Sequence, residues 1–114
     1  MKYAIMVYET QSDFDARTDP RAQGDYWASY KTYSEYLGER VSGGAALKGV
    51  ETATTIRLRD GERLVEDGPF ADTKERLGGL FLVEAKDLDE ALELAAKCPS
   101  ASTGSVEVRP LLEM

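Results

Sequence analysis

Apolar and polar positions alternate with a period near two in some stretches of the chain and near 3.6 in others, and the order of those stretches outlines a fold. Residues 2–8 alternate Tyr3, Ile5 and Val7 with Ala4, Met6 and Tyr8, so both faces are apolar, as in a central strand covered on two sides. A polar segment, residues 9–23, follows with Asp13, Asp15 and Asp19-Pro20, which are turn and helix-entry residues. Either Asp19 with Pro20, or Asp25 after Gly24, opens a helix in which Tyr26, Tyr30, Tyr33 and Leu37 share one stripe, ending near Gly38 to Arg40. Their rings are expected to pack in the core, each hydroxyl reaching a partner, while Trp27 and Tyr36 lie off the stripe.

Ser42 to Leu47 reads as a short strand of small residues, with Gly43-Gly44 allowing a bulge or a close backbone approach. Residues 53–59 and 63–66, joined by Asp60-Gly61-Glu62, carry a strong hairpin signal. Leu80 to Val83 is an apolar run expected to form another buried strand. Asp87, with Glu90 three residues on, caps a second helix whose stripe is Leu88, Ala91, Leu92, Ala95 and Cys98, with Pro99 just beyond. Val106 and Val108 alternate with Glu107 and Arg109 in a last strand expected at an edge or ending at Pro110.

Without the hairpin the order is βαββαβ, so the chain is predicted to be α+β, a ferredoxin-like fold with an inserted β-hairpin, in one domain spanning residues 1–114. Two helices cover only one face of such a sheet. Because two strands are apolar on both sides, the open face is expected to pack on a second copy in a homodimer, with the two sheets facing like half-barrels.

Composition narrows the chemistry. The 114 residues carry 14 basic and 21 acidic side chains, a formal charge of -7 that repels nucleic acid and anionic membranes. A lone cysteine, Cys98, rules out an internal disulfide, and its place on the helix stripe reads as core packing. With no histidine, a Ser/His/Asp triad is excluded and any metal would need oxygen ligands; no calcium-loop spacing occurs, so no metal site and no cofactor are expected. The apolar start is too short to span a membrane and lacks a signal-peptide plan, which leads to the expectation of a cytoplasmic protein.

The densest candidate chemistry is Asp67-Gly68-Pro69-Phe70-Ala71-Asp72-Thr73-Lys74-Glu75. Gly68 and Pro69 favour a tight turn that would bring Asp67 and Asp72 together, and carboxylates held close split their pKa values into an acid and a base. Lys74 and Arg59 would then orient a small anionic ligand, with Tyr8, at the end of the first strand, at the pocket edge. Turn chemistry alone accounts for the same residues: Asp67 begins a turn, Phe70 plugs the core, and Asp72 or Thr73 caps a short helical turn.

Ala53-Thr54-Thr55-Ile56-Arg57-Leu58-Arg59-Asp60-Gly61, the Asp67 to Glu75 stretch, Leu77-Gly78-Gly79, Asp87-Leu88-Asp89-Glu90-Ala91 and Val106-Glu107-Val108-Arg109-Pro110 together resemble the DGPF-domain branch of the YCII-related proteins. The resemblance covers nearly the whole chain. It implies a dimeric α+β barrel, in agreement with the periodicity; for activity, the acidic cluster and the resemblance together leave two readings. One is a small-molecule-binding dimer with acid/base, lyase- or isomerase-like activity on an organic acid. The other is a non-enzymatic regulatory or interaction module associated with a sigma factor, as the gene neighbourhoods of some relatives imply. Many YCII proteins carry a His paired with an Asp as the suspected catalytic dyad, and the absence of histidine here removes that mechanism.

Overall fold

The computed structural model describes residues 1–114. In chain order the elements are β1 (Lys2–Glu9), α1 (Gln11–Ala16), α2 (Gln23–Leu37), β2 (Val41–Ala46), β3 (Thr54–Arg59), β4 (Glu62–Asp67), β5 (Arg76–Glu84), α3 (Leu88–Ala96), α4 (Ser100–Thr103) and β6 (Ser105–Pro110). Four strands form an antiparallel sheet in the order β2-β5-β1-β6, and β3 and β4 form a separate two-stranded hairpin. With the hairpin set aside, β1-α2-β2-β5-α3-β6 is the ferredoxin-like arrangement expected of a dimeric α+β barrel chain. As predicted, β1 is central, β6 lies at an edge, and a register shift between Val41 and Gly43 marks a bulge.

Strand register decides which side chains meet the helices. Tyr3 opposite Val83 and Ile5 opposite Phe81 face the helix layer, where they meet Tyr33 and Leu37 of α2 and Ala91, Leu94, Ala95 and Cys98 of the α3 side. Ala4 opposite Leu82 and Met6 opposite Leu80 point to the other face, which lies outside this core. The Tyr33 hydroxyl donates to the Leu94 carbonyl at 2.9 Å, joining the two long helices through a buried phenol. No helix is long and apolar enough to cross a membrane.

Three local expectations need correction. The polar segment after β1 contains a helix, α1, fixed by a reciprocal capping box between Thr10 and Asp13 and anchored by buried Phe14. A single apolar residue in six gave no periodic signal. In α3 the buried stripe is Ala91, Leu94, Ala95 and Cys98, while Leu88 and Leu92 are 48% and 47% exposed. Both stripes obey helical spacing, and docking against β6, with Val106 and Val108 packed on the core, selects the one containing Leu94. Phe70 does not plug the core but is 80% exposed, and the Asp72–Thr73 segment forms no helical turn.

The hairpin turn is built as its sequence requires. Asp60 and Gly61 both have positive φ, 51° and 80°, the combination a two-residue hairpin turn demands and Asp-Gly supplies.

Candidate functional site

Strand alternation places Tyr3, Ile5, Val7 and Glu9 in one row facing the helices, so the last member of an apolar row is a carboxylate. Glu9 is only 1% exposed. Its charge is met by the chain that follows: α1 turns back after Thr10 and delivers Arg17, its C-terminal cap, onto Glu9 at 2.7 Å. One turn apart on α2, Tyr26 and Tyr30 direct their hydroxyls at the other carboxylate oxygen, at 2.6 and 3.4 Å. The acid thereby accepts three hydrogen bonds, and no buried side-chain nitrogen or oxygen in the protein is left without a partner.

Arg17 knits the site together. Its Nε donates to the Tyr26 hydroxyl at 3.0 Å, and its terminal nitrogens donate to the carbonyls of Gly78, at 3.1 Å, and Leu47. The guanidinium also lies over the Phe14 ring, 4.6 Å from its centroid. Burial works against the charge on Arg17, but hydrogen bonds to Tyr26 and Glu9 outweigh it, so the guanidinium is held more firmly protonated than usual. Burial pushes the Tyr26 and Tyr30 phenols well above the ordinary tyrosine range, reinforced at Tyr26 by its hydrogen bond to Glu9. Both hydroxyls therefore remain proton donors through the physiological range.

Beside this cluster lies a cavity of about 470 Å³ between α2 and the β2–β5 side of the sheet. Tyr26, Trp27, Tyr30 and Phe81 supply aromatic wall, Gly43, Gly44, Gly78 and Gly79 a wall without side chains, and Glu9 and Arg17 the buried polar end. Gly78 is required there, because a Cβ at that position would run into the Glu9 carboxylate and stand 2.9 Å from Arg17. Lys31 also lines the cavity and forms no ion pair.

The residues singled out in the sequence lie elsewhere. Asp67 ends β4 opposite Thr54 and is exposed. Asp72, also exposed, pairs with Arg76 at 2.6 Å, and no hydrogen bond joins it to Asp67. Lys74 is exposed, and Arg59, exposed at the end of β3, donates to the Leu58 carbonyl. Tyr8 points away from Glu9 and lines a separate cleft of about 760 Å³ with Phe70. None of the five lines the Glu9 cavity. Glu9 and Arg17 escaped the sequence reading, although a carboxylate continuing the inward row Tyr3, Ile5, Val7 was a usable signal; the Tyr26 and Tyr30 hydroxyls were expected to find partners and do.

Comparison with known proteins places this geometry in a family. The profile of the YCII-related domain matches residues 1–114. An uncharacterised protein of Rhizobium meliloti (strain 1021) is 40% identical over 116 residues, covering 97% of this chain and 92% of its own length. Among solved structures, the 5-chloro-2-hydroxyhydroquinone dehydrochlorinase TftG of Burkholderia phenoliruptrix AC1100, in complex with 2,5-dihydroxybenzoquinone, superimposes with a TM-score of 0.60 at 17% identity. That match covers 100% of this chain and 96% of the other, and it is a likeness of fold.

Proposed function

We propose, from the premise that the chain belongs to the YCII-related family, that it binds a small oxygenated organic molecule in the Glu9 cavity and transfers a proton there. The observation that carries this reading is a carboxylate 1% exposed, held by Arg17, Tyr26 and Tyr30 at the end of a largely apolar cavity. A cavity of about 470 Å³ suits a single-ring compound, and its aromatic and glycine walls suit a flat one. The structural neighbour of known ligand was solved with such a ring, 2,5-dihydroxybenzoquinone, which supports the ligand class by analogy of fold.

In this reading Glu9 is the proton acceptor. Tyr26, kept protonated by burial, is the donor beside it, and Arg17 fixes the geometry of both. Lys31 supplies a positive charge for an anionic ring substituent. The working unit is a homodimer formed through the open sheet face, a reading supported by Ala4, Met6, Leu80 and Leu82, apolar side chains on the face the helices do not cover.

Titration calorimetry with a panel of hydroxylated benzoquinones and hydroxybenzoates tests the ligand class. Binding by the wild type, weakened at least about tenfold by Tyr26→Phe or Glu9→Gln, is expected. Absence of binding across the panel, or binding that both variants leave intact, would overturn the proposal.

A further inference from the structure

The β3–β4 hairpin is amphipathic in the reverse of the usual sense. Cross-strand register puts Ile56, Leu58 and Val65, with Arg63 opposite Leu58, on one face and Thr55, Arg57 and Glu66, with Leu64 opposite Arg57, on the other. The polar side is the one covered by the loop that follows β4: Arg57 and Thr55 are partly buried, the Arg57 guanidinium sits 5.6 Å from the Phe70 ring centroid, and the Thr55 hydroxyl donates to the Gly68 carbonyl, while Arg57 lies 3.9 Å from Glu66 of the hairpin itself. The apolar side faces out, with Ile56, Leu58 and Val65 at 54%, 65% and 54% exposure. A two-stranded ribbon is marginal on its own, and no strand of the main sheet pairs with this one.

We propose that this hairpin is a dimer arm, whose Ile56, Leu58 and Val65 pack against a second copy of the chain seated on the open face of the four-stranded sheet. The inference rests on the homodimer reading above and extends it. Its first support is continuity: Ile56 and Phe70 of the hairpin region share one cleft with Tyr8 and Leu77, which oppose each other on the main sheet, so the arm adjoins the sheet. Its second support is area. In plan, the four strands of six to nine residues span roughly 450 Å² and the hairpin adds roughly 200 Å², so the arm enlarges the area a second copy can cover by about two-fifths towards that of a stable specific interface. Its third support is charge. The open face is mixed in sign, with Lys2 beside Glu84 and Arg109 paired to Glu107, so it does not present the single-sign field that would hold two copies of net charge -7 apart.

Sedimentation or native mass spectrometry on the full chain tests the arm through the variant Ile56→Lys/Leu58→Lys/Val65→Lys. These side chains are solvent-exposed in the single chain, so the fold is retained, as a circular-dichroism melt verifies. Three added lysines bring the formal charge from -7 to -4, which lessens repulsion between copies, so weaker association cannot be a general charge effect. The expected result is a wild-type dimer whose dissociation constant rises at least about a hundredfold in the variant, with hairpin amides exchanging faster. A wild-type dimer that the variant matches in affinity overturns the arm and leaves the sheet-face dimer standing. A wild-type monomer at micromolar concentration overturns both.

Discussion

The Glu9 carboxylate and the Arg17 guanidinium meet at 2.7 Å with side-chain exposures of 1% and 12%, an ion pair enclosed by the protein at the wall of a cavity. A buried pair of this kind adds little net stability, because desolvating both charges offsets their attraction, but losing one partner strands the other. Arg17→Met is therefore expected to cost about 3–5 kcal/mol, a large share of the roughly 5–15 kcal/mol of a typical domain. The double variant Glu9→Leu/Arg17→Met is expected to cost less than the sum of its single changes. Urea unfolding of the four proteins gives the coupling energy, and additivity would show that the pair does not act as a unit.

Gly78 offers a probe of the same site from the sheet. Adding one methyl group in Gly78→Ala forces the Glu9 carboxylate and Arg17 to move, since the new Cβ occupies their space. A loss of about 1–3 kcal/mol is expected, as for other overpacked sites. Gly24, by contrast, has open space around its Cβ position, and Gly24→Ala in α2 is expected to leave stability unchanged or raise it by up to ~1 kcal/mol. Thermal melts of the two alanine variants compare them directly, and equal destabilisation would contradict the packing at Gly78.

Alkaline pH tests the buried phenols. Burial raises the Tyr26, Tyr30 and Tyr33 phenols above the ordinary tyrosine value of about 10. Above about pH 10 the unfolded chain releases these protons while the folded chain retains them, so stability is present below that pH and falls as pH rises beyond it. Tyr26, Tyr30 and Tyr33 are expected to titrate only as the protein unfolds. Tyrosinate absorbance and circular dichroism followed together measure this, and Tyr30→Phe is expected to flatten the alkaline slope. A slope that Tyr30→Phe leaves unchanged would contradict it.

The sheet was legible because its signals are local and repeated. Alternation in β1, the Asp60-Gly61 turn and the Asp87–Glu90 cap each dictate their own geometry, and the structure reproduces all three. The Glu9 cluster was not legible in the same way. Its members sit at positions 9, 17, 26 and 30 on three elements, and one of those elements, α1, has too little apolar periodicity to be found. Sequence density drew attention instead to Asp67–Glu75, where ionisable groups crowd together on the chain but point outward in space. Proximity along the chain is a poor guide to a site that tertiary packing assembles.

The two carboxylate clusters can be set against each other in one experiment. Asp67 and Asp72 are exposed and Asp72 pairs only with surface Arg76, so Asp67→Asn and Asp72→Asn are each expected to change stability by no more than ~0.5 kcal/mol. If proton transfer lies with Glu9, the double variant Asp67→Asn/Asp72→Asn binds the ring compounds that the wild type binds, with affinity within about twofold, whereas Tyr26→Phe weakens them by at least about tenfold. If the aspartates form the site, the pattern inverts: the double variant loses the ligand while remaining as stable as the wild type, and Tyr26→Phe retains it. Calorimetric titration of the two variants beside the wild type, with melting curves to separate binding from folding, distinguishes these outcomes. Because Asp67 and Asp72 make so little contact with the core, any ligand effect at those positions could not be ascribed to a damaged fold.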